Sequence, residues 1–183
     1  MMQQISEAMV GFTRRYCDQW QQQTGHLPYS EALYGMDSPC ITASDQHGVY
    51  WQPREFTLPA TLDAVERGLG IVIQPAVTGW YTSQFAGDMH AAWQGAPLTL
   101  LQAWNEDDFS RVQENLIGHL VMKRRLKQTP TLFIAATDQD TEIISVCNLS
   151  GEVIREALGT KKREILSKTV DDFLSELDVV VTN

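Results

Sequence analysis

Lysine is missing from the first two-thirds of this chain: none occurs before Lys123. Residues 1–122 carry thirteen acidic side chains against five basic ones, all arginine (Arg14, Arg15, Arg54, Arg67 and Arg111). That stretch therefore holds −8 of the net charge of −9. A surface with so few cations projects a negative field, which disfavours nucleic acid and anionic lipid and attracts basic partners. Solubility alone is the competing explanation. Cysteine is scarce and odd in number. Cys17, Cys40 and Cys147 lie at scattered spacings, which suits a reducing compartment and neither a disulfide framework nor a zinc site. No run of about 18 apolar residues is present, so no membrane span is expected. The opening MMQQISEAMV lacks a basic start and an apolar core, so export by a signal peptide is not expected.

The usual catalytic signatures are also missing. There is no G-x-S-x-G, H-E-x-x-H, Walker loop or G-x-G-x-x-G. Gly68-Leu69-Gly70 has too few glycines to cradle phosphate and precedes a strand-like segment. The histidines His26, His47, His90 and His119 share no ligand spacing, so no metal or cofactor is expected. His119 reads as a partly exposed helix residue. Cys17 and Cys147 read as small buried hydrophobes rather than nucleophiles.

What is present is an ordinary globular composition, 43% hydrophobic and 20% charged, which excludes a disordered chain. Ile5, Met9, Phe12, Tyr16 and Trp20 recur every three or four residues and predict an amphipathic helix over about 3–22. A breaker-rich loop follows. Ile41–Thr42 and Val49–Trp51 predict a hairpin. Thr61–Leu69 predicts a short helix capped by Thr61, then Ile71–Ile73 a strand stopped by Pro75. Trp80–Phe85, Met89–Trp93 and Leu98–Trp104 predict an antiparallel meander. Asn105 is a good N-cap for a long helix with Glu106, Asp107 and Asp108 in its first turn and Lys123, Arg124, Arg125 and Lys127 at its end, the charge order that the helix dipole favours. Strands at Leu132–Ala135, Ile143–Cys147 and Val153–Arg155 and a terminal helix complete the pattern. The expected fold is α+β: one domain over 1–183, with a mostly antiparallel sheet and helices packed on it.

Six carboxylates are candidate partner contacts: Asp63, Glu66, Asp88, Glu106, Asp107 and Asp108. Three acids at a helix start have a sufficient structural role, but residues about 100° apart cannot all face the amides, so at least one is expected to point outward. Asp63 and Glu66 share a helix face. Asp88 follows Gly87 and reads equally as a turn residue. Of the five tryptophans, most are expected in the core. One at the rim of an acidic cleft would offer a cation–π surface.

Longer segments carry a resemblance. They are Arg15–Asp18 with Trp20, Ser38–Ile41, Val49–Pro53, Ala64–Arg67, Ile71–Pro75, Thr82, Gln84–His90, Leu98–Gln102, Glu106–Phe109, Arg111–Val121, Pro130–Ala135 and Ile144–Val153. In this order, from about residue 14 to 158, they resemble the Syd family of bacterial SecY-interacting proteins. The resemblance implies an α+β fold of the Smi1/Knr4-like group, which also includes toxin-immunity proteins. It implies a non-enzymatic protein that binds SecY, the channel subunit of the translocase, from the cytoplasmic side of the inner membrane, and monitors assembly of the SecYEG complex. It implies no cofactor. An inhibitor of a basic nuclease toxin is the alternative that the fold group and the acidity allow.

Overall fold

The computed structural model describes residues 2–182. Helix α1 (Met2–Thr24) leads into β1 (Tyr29–Ser30), β2 (Ile41–Ser44) and β3 (Val49–Trp51), which form a small sheet ordered β1-β3-β2. Helices α2 (Asp63–Leu69) and α3 (Pro75–Thr82) follow. Strands β4 (Met89–Trp93) and β5 (Ala96–Leu100) precede helix α4 (Glu106–Arg125). Then come β6 (Thr131–Thr137), β7 (Glu142–Cys147), β8 (Val153–Ala157), β9 (Arg163–Ser167), α5 (Val170–Glu176) and β10 (Leu177–Val179). The large sheet runs β10-β4-β5-β6-β7-β8-β9, with every neighbour antiparallel. The expected α+β class and antiparallel sheet are found. Ile5, Met9, Phe12, Tyr16 and Trp20 are all buried, and α1 packs this stripe against α3 and α5.

The middle of the chain departs from the sequence reading. Ile71–Ile73 is not a strand. Its backbone is satisfied by side chains instead: Ile73 N–H donates to Glu66 Oε2 (2.9 Å), Gln74 N–H to Asn148 Oδ1 (2.9 Å), and Asn148 Nδ2 to Val72 O (2.9 Å). Pro75 does not stop a strand but starts α3, where a missing N–H and a fixed φ fit the first turn. Of the residues expected as the strand Trp80–Phe85, Trp80–Thr82 therefore complete that helix, and Phe85 forms only an isolated bridge with Arg54. Val77, Trp80 and Tyr81 are buried, and the indole of Trp80 and phenol of Tyr81 donate to Leu101 O (2.8 Å) and Phe133 O (2.7 Å). Thr61 does not cap α2, whose N-cap is Leu62 without a side-chain bond. The hairpin after β4 turns at Gln94-Gly95, both at positive φ, so Pro97 falls inside β5 opposite Ala92. Strands β1, β9 and β10 went unanticipated. Two are only two or three residues long, and β9 is charged and mostly exposed.

The far end of α4 holds the largest surprise. His119 is buried, and Lys123 is only 4% exposed rather than a solvated dipole partner. Lys123 Nζ donates to Glu156 on β8 and to Gln128 Oε1 (3.3 Å). The Thr131 hydroxyl donates to Glu156 Oε2 (2.6 Å). That leaves its oxygen to accept from His119 Nε2, 2.8 Å away. Burial alone would raise the Glu156 carboxyl; hydrogen bonds from Lys123 and Thr131 overcome this and hold it below its ordinary range. Burial lowers His119 against the attraction of Glu156, and Lys123 lowers it further, which favours the neutral ring.

Removing one partner of a buried ion pair is strongly destabilising because it strands the other charge. Lys123→Met or Glu156→Gln alone is expected to lose about 3–5 kcal/mol in urea denaturation at pH 7. The double variant Lys123→Met/Glu156→Leu should lose less than either single change; losses that simply add would contradict a coupled pair. Both Glu156 and His119 are depressed in the folded state, so their contribution is complete above the unfolded values of about 4.3 and 6.5 and is lost as pH falls. The double variant keeps His119 and lacks only the Glu156 contribution, so its loss of stability should be shallower than the parent's below about pH 4.3.

Candidate functional site

Residues Leu101–Trp104 continue from β5 but leave the sheet. Their backbone finds partners one by one. Leu101 N–H donates to Ile134 O (2.9 Å) and Ala103 O accepts from Ala86 N–H (3.1 Å). Gln102 N–H donates to Asp88 Oδ1 (3.3 Å) and Trp104 N–H to Asp108 Oδ2 (2.8 Å). A buried amide pair fixes the same segment to α1: Gln84 Nε2 donates to Thr13 Oγ1 (2.7 Å) and Gln102 Oε1 (3.1 Å), and Gln102 Nε2 to Trp80 O (2.9 Å).

Asn105 caps α4 as expected, accepting from Asp108 N–H at 2.7 Å. Asp108 thus both receives a cap and acts as one, and its second oxygen lies 3.6 Å from Arg111. It is the acid turned toward backbone amides. Glu106 and Asp107 are exposed. They line a cleft of about 720 Å³ together with Asp37, over an apolar wall that includes Pro39, Ile41, Leu58 and Phe85. Among the described residues, no cationic side chain lines it. Arg54 stands nearby, bridged to Phe85 through the backbone, with its Nε donating to Pro39 O (3.4 Å). The opposite lip is stapled to the helix start. Ser38 Oγ donates to Trp104 O (2.6 Å), Trp104 Nε1 to Met36 O (3.0 Å) and Asn105 Nδ2 to Asp37 O (2.6 Å).

Asp88 reaches solvent, yet partial desolvation pushes its carboxyl up to about 6. The Gln102 N–H opposes the rise and the Asp108 charge adds to it. Asp88 is not among the residues that line the cleft. Gly87 precedes it: a Cβ at position 87 would lie 2.7 Å from the Trp51 ring, so only glycine lets the backbone pass so close. Asp88 is within electrostatic reach of Asp108, and Asp108 borders the cleft acids in sequence and space.

Asp63 and Glu66 do not line this cleft. Asp63 pairs with Arg67 (3.3 Å), and Glu66 is committed to Ile73 N–H. The end of α2 lies against the later half of α4, where Gly68 approaches Ile117 and Leu69 O accepts from Arg124 Nη2 (3.0 Å). Asp37 is the cleft residue that sequence reasoning missed. It sits in a loop read only for its breakers, although it directly precedes Ser38-Pro39. All five tryptophans are buried, so none stands at the rim. Cys17, Cys40 and Cys147 are free thiols. Cys17 is only half-buried, but burial pushes its thiol up to about 11, away from nucleophilic character. Among the described residues no group of three or more His, Cys, Asp or Glu side chains gathers as a metal site. No described helix is long and apolar enough to cross a membrane.

Comparison with known proteins agrees with this architecture and order of motifs. The Syd protein (SUKH-2) family matches residues 6–178. Protein Syd of Erwinia tasmaniensis is 60% identical over 183 residues, covering 100% of this chain and 98% of its own. Protein Syd of Enterobacter sp. (strain 638) is 53% identical over 178 residues, 97% of this chain and 98% of its own. Protein Syd of Salmonella newport is 55% identical over 173 residues, 94% and 96% respectively. With the match running through α1, the acidic helix start and both sheets, this chain belongs to the Syd family.

Proposed function

We propose that this protein binds the basic cytoplasmic loops of SecY through the cleft at the start of α4, and so monitors assembly of the SecYEG complex from the cytoplasmic face of the inner membrane. The observation that carries the reading is the cleft itself: Asp37, Glu106 and Asp107 over an apolar wall and, among the described residues, no cation in its lining. Cytoplasmic loops of membrane proteins are enriched in Lys and Arg. An acidic cleft attracts such a loop and is repelled by bare anionic lipid. Attachment at the membrane then depends on the protein partner. The reading is of a binding protein, not an enzyme. Membership of the Syd family favours the channel over a nuclease toxin as the basic partner.

Binding to SecYEG in nanodiscs should weaken tenfold or more as salt rises from 0.1 to 1 M, because the Debye length falls from about 10 Å to about 3 Å. The double reversal Glu106→Lys/Asp107→Lys should weaken binding at least tenfold with folding intact by circular dichroism, and Asp140→Lys less than twofold. Asp140 is exposed and lies outside the cleft lining. Equal losses at the cleft and at Asp140 would mean a diffuse field in place of a site.

Asp88 adds a pH test. Its folded pKa is raised, so its charge is present above about 6 and is lost below it. Binding should weaken between pH 7 and 5, and Asp88→Asn should flatten that slope. A raised carboxyl opposes folding most above its folded pKa and not at all below its unfolded one of about 3.9. Asp88→Asn should therefore raise the thermal midpoint at pH 7.5, with the gain fading toward pH 4. A destabilised Asp88→Asn at pH 7.5 would overturn this account of the site.

A further inference from the structure

We propose that the cavity between the end of α4 and the β8–β9 turn is a site for a small phosphate-bearing anion. It has a volume of about 260 Å³ and is lined by Lys123, Lys127, Lys161, Lys162 and Arg163. Five of the fourteen basic residues of a chain with net charge −9 thus meet around one small space. The single carboxylate in the lining is Glu156, and it is already bonded to Lys123 and Thr131. The remaining positive charges have no partner in the wall to offset them.

The floor is built as well as charged. An ammonium has three N–H donors. Lys123 directs one to Glu156 and one to Gln128 Oε1, and among the described residues the third has no protein acceptor. The rim is held in one shape. Gln128 Nε2 donates to Thr160 O (3.0 Å), Lys162 N–H to Thr160 Oγ1 (3.1 Å), and Thr160 Oγ1 to Ala157 O (2.9 Å). The negative end of the α4 dipole would oppose an anion here. It is blunted, because Leu126, Lys127 and Gln128 N–H groups cap the last carbonyls, with Lys127 at φ 55°. The volume lies below the roughly 300 Å³ at which pockets for drug-sized ligands begin. Inorganic phosphate or a phosphomonoester headgroup fits that size and charge, and a nucleotide does not. This site stands apart from the acidic cleft and does not rest on the reading given to it.

The probe is inorganic phosphate, added to the full chain at pH 7.5 with chloride at matched ionic strength as the control. Phosphate should raise the thermal midpoint saturably, and chloride should not. Lys161→Gln/Lys162→Gln, at exposed positions, should keep the circular dichroism spectrum and shift half-saturation at least tenfold upward. Arg163→Gln is the second variant and should shift it in the same direction. Pelleting with vesicles then separates the sources. Capture by phosphatidylcholine vesicles containing phosphatidic acid, but not by phosphatidylcholine alone, with release by free phosphate and loss in the double variant, assigns the headgroup. Saturable phosphate binding without such capture assigns a soluble phosphate. A midpoint that rises equally with chloride, or an unchanged half-saturation in both variants, overturns the proposal. SecY is absent from these measurements, so their outcome is independent of the cleft.

Discussion

Buried backbone must find hydrogen-bond partners, and beyond Leu101 N–H, which still bonds Ile134 O on β6, the stretch to Trp104 must find them outside the sheet. An unpaired peptide group buried there would be expensive. Two of its N–H groups are answered by carboxylates, Asp88 and Asp108. Two of its carbonyls are answered by Trp80 and Ser38. The same bonds that allow the chain to leave β5 therefore bring α3, the 36–39 loop and the first turn of α4 to one place. Part of the acidity at the cleft is a requirement of the fold before it is available to any partner. Asp108 is largely used up in this way. Glu106, Asp107 and Asp37 are not, and they are the ones turned outward.

Helix α4 separates opposite charges. Its twenty residues span roughly 30 Å at 1.5 Å per residue. Acids gather at its start and basic side chains at its end, in the order that its dipole favours. The dipole does not account for Lys123, which turns inward to Glu156. The two cavities follow the linear division of charge in the sequence: the acidic cleft draws its carboxylates from the first 122 residues, and the cavity at the other end of α4 draws its cations from residues 123–163.

Much of the fold was legible because burial imposes a period. The stripe of α1, the cap at Asn105 and the strands at Met89–Trp93, Leu132–Ala135 and Ile143–Cys147 all follow from spacing or local chemistry. Trp80–Phe85 misled because a short buried helix and a short buried strand look alike when nearly every residue is apolar. Pro75 was the signal that could have decided it. Ile71–Ile73 misled because its β-branched residues are tied by Glu66 and Asn148, from helix and turn, and no propensity encodes such a bond. His119 and Lys123 were four apart on the same face as Leu116 and Leu120, so their burial was implicit in the helix. Their partner Glu156 lies 33 positions on from Lys123, beyond any local rule. The acids at Glu106–Asp108 could be named from sequence, but dividing them between capping and display needed coordinates.

The contact of Gly87 with Trp51 ties the cleft region to the core. Trp51 stacks on Tyr16, their ring centroids 6.1 Å apart, and meets Trp104 edge to face at 6.3 Å. Asp88 therefore follows directly on a backbone pressed against a fixed aromatic cluster, Asn105 follows directly on another member of it, and Asp108 is hydrogen-bonded to that member's N–H. A receptor mounted this way has little conformational freedom left to lose when it is occupied. The ordering entropy of association falls on the flexible partner alone. Under the proposed function, a loop already held in its native shape by a correctly assembled channel would have less of that entropy to give up than a loose one, and a rigid cleft would discriminate between folded and disordered versions of the same basic sequence.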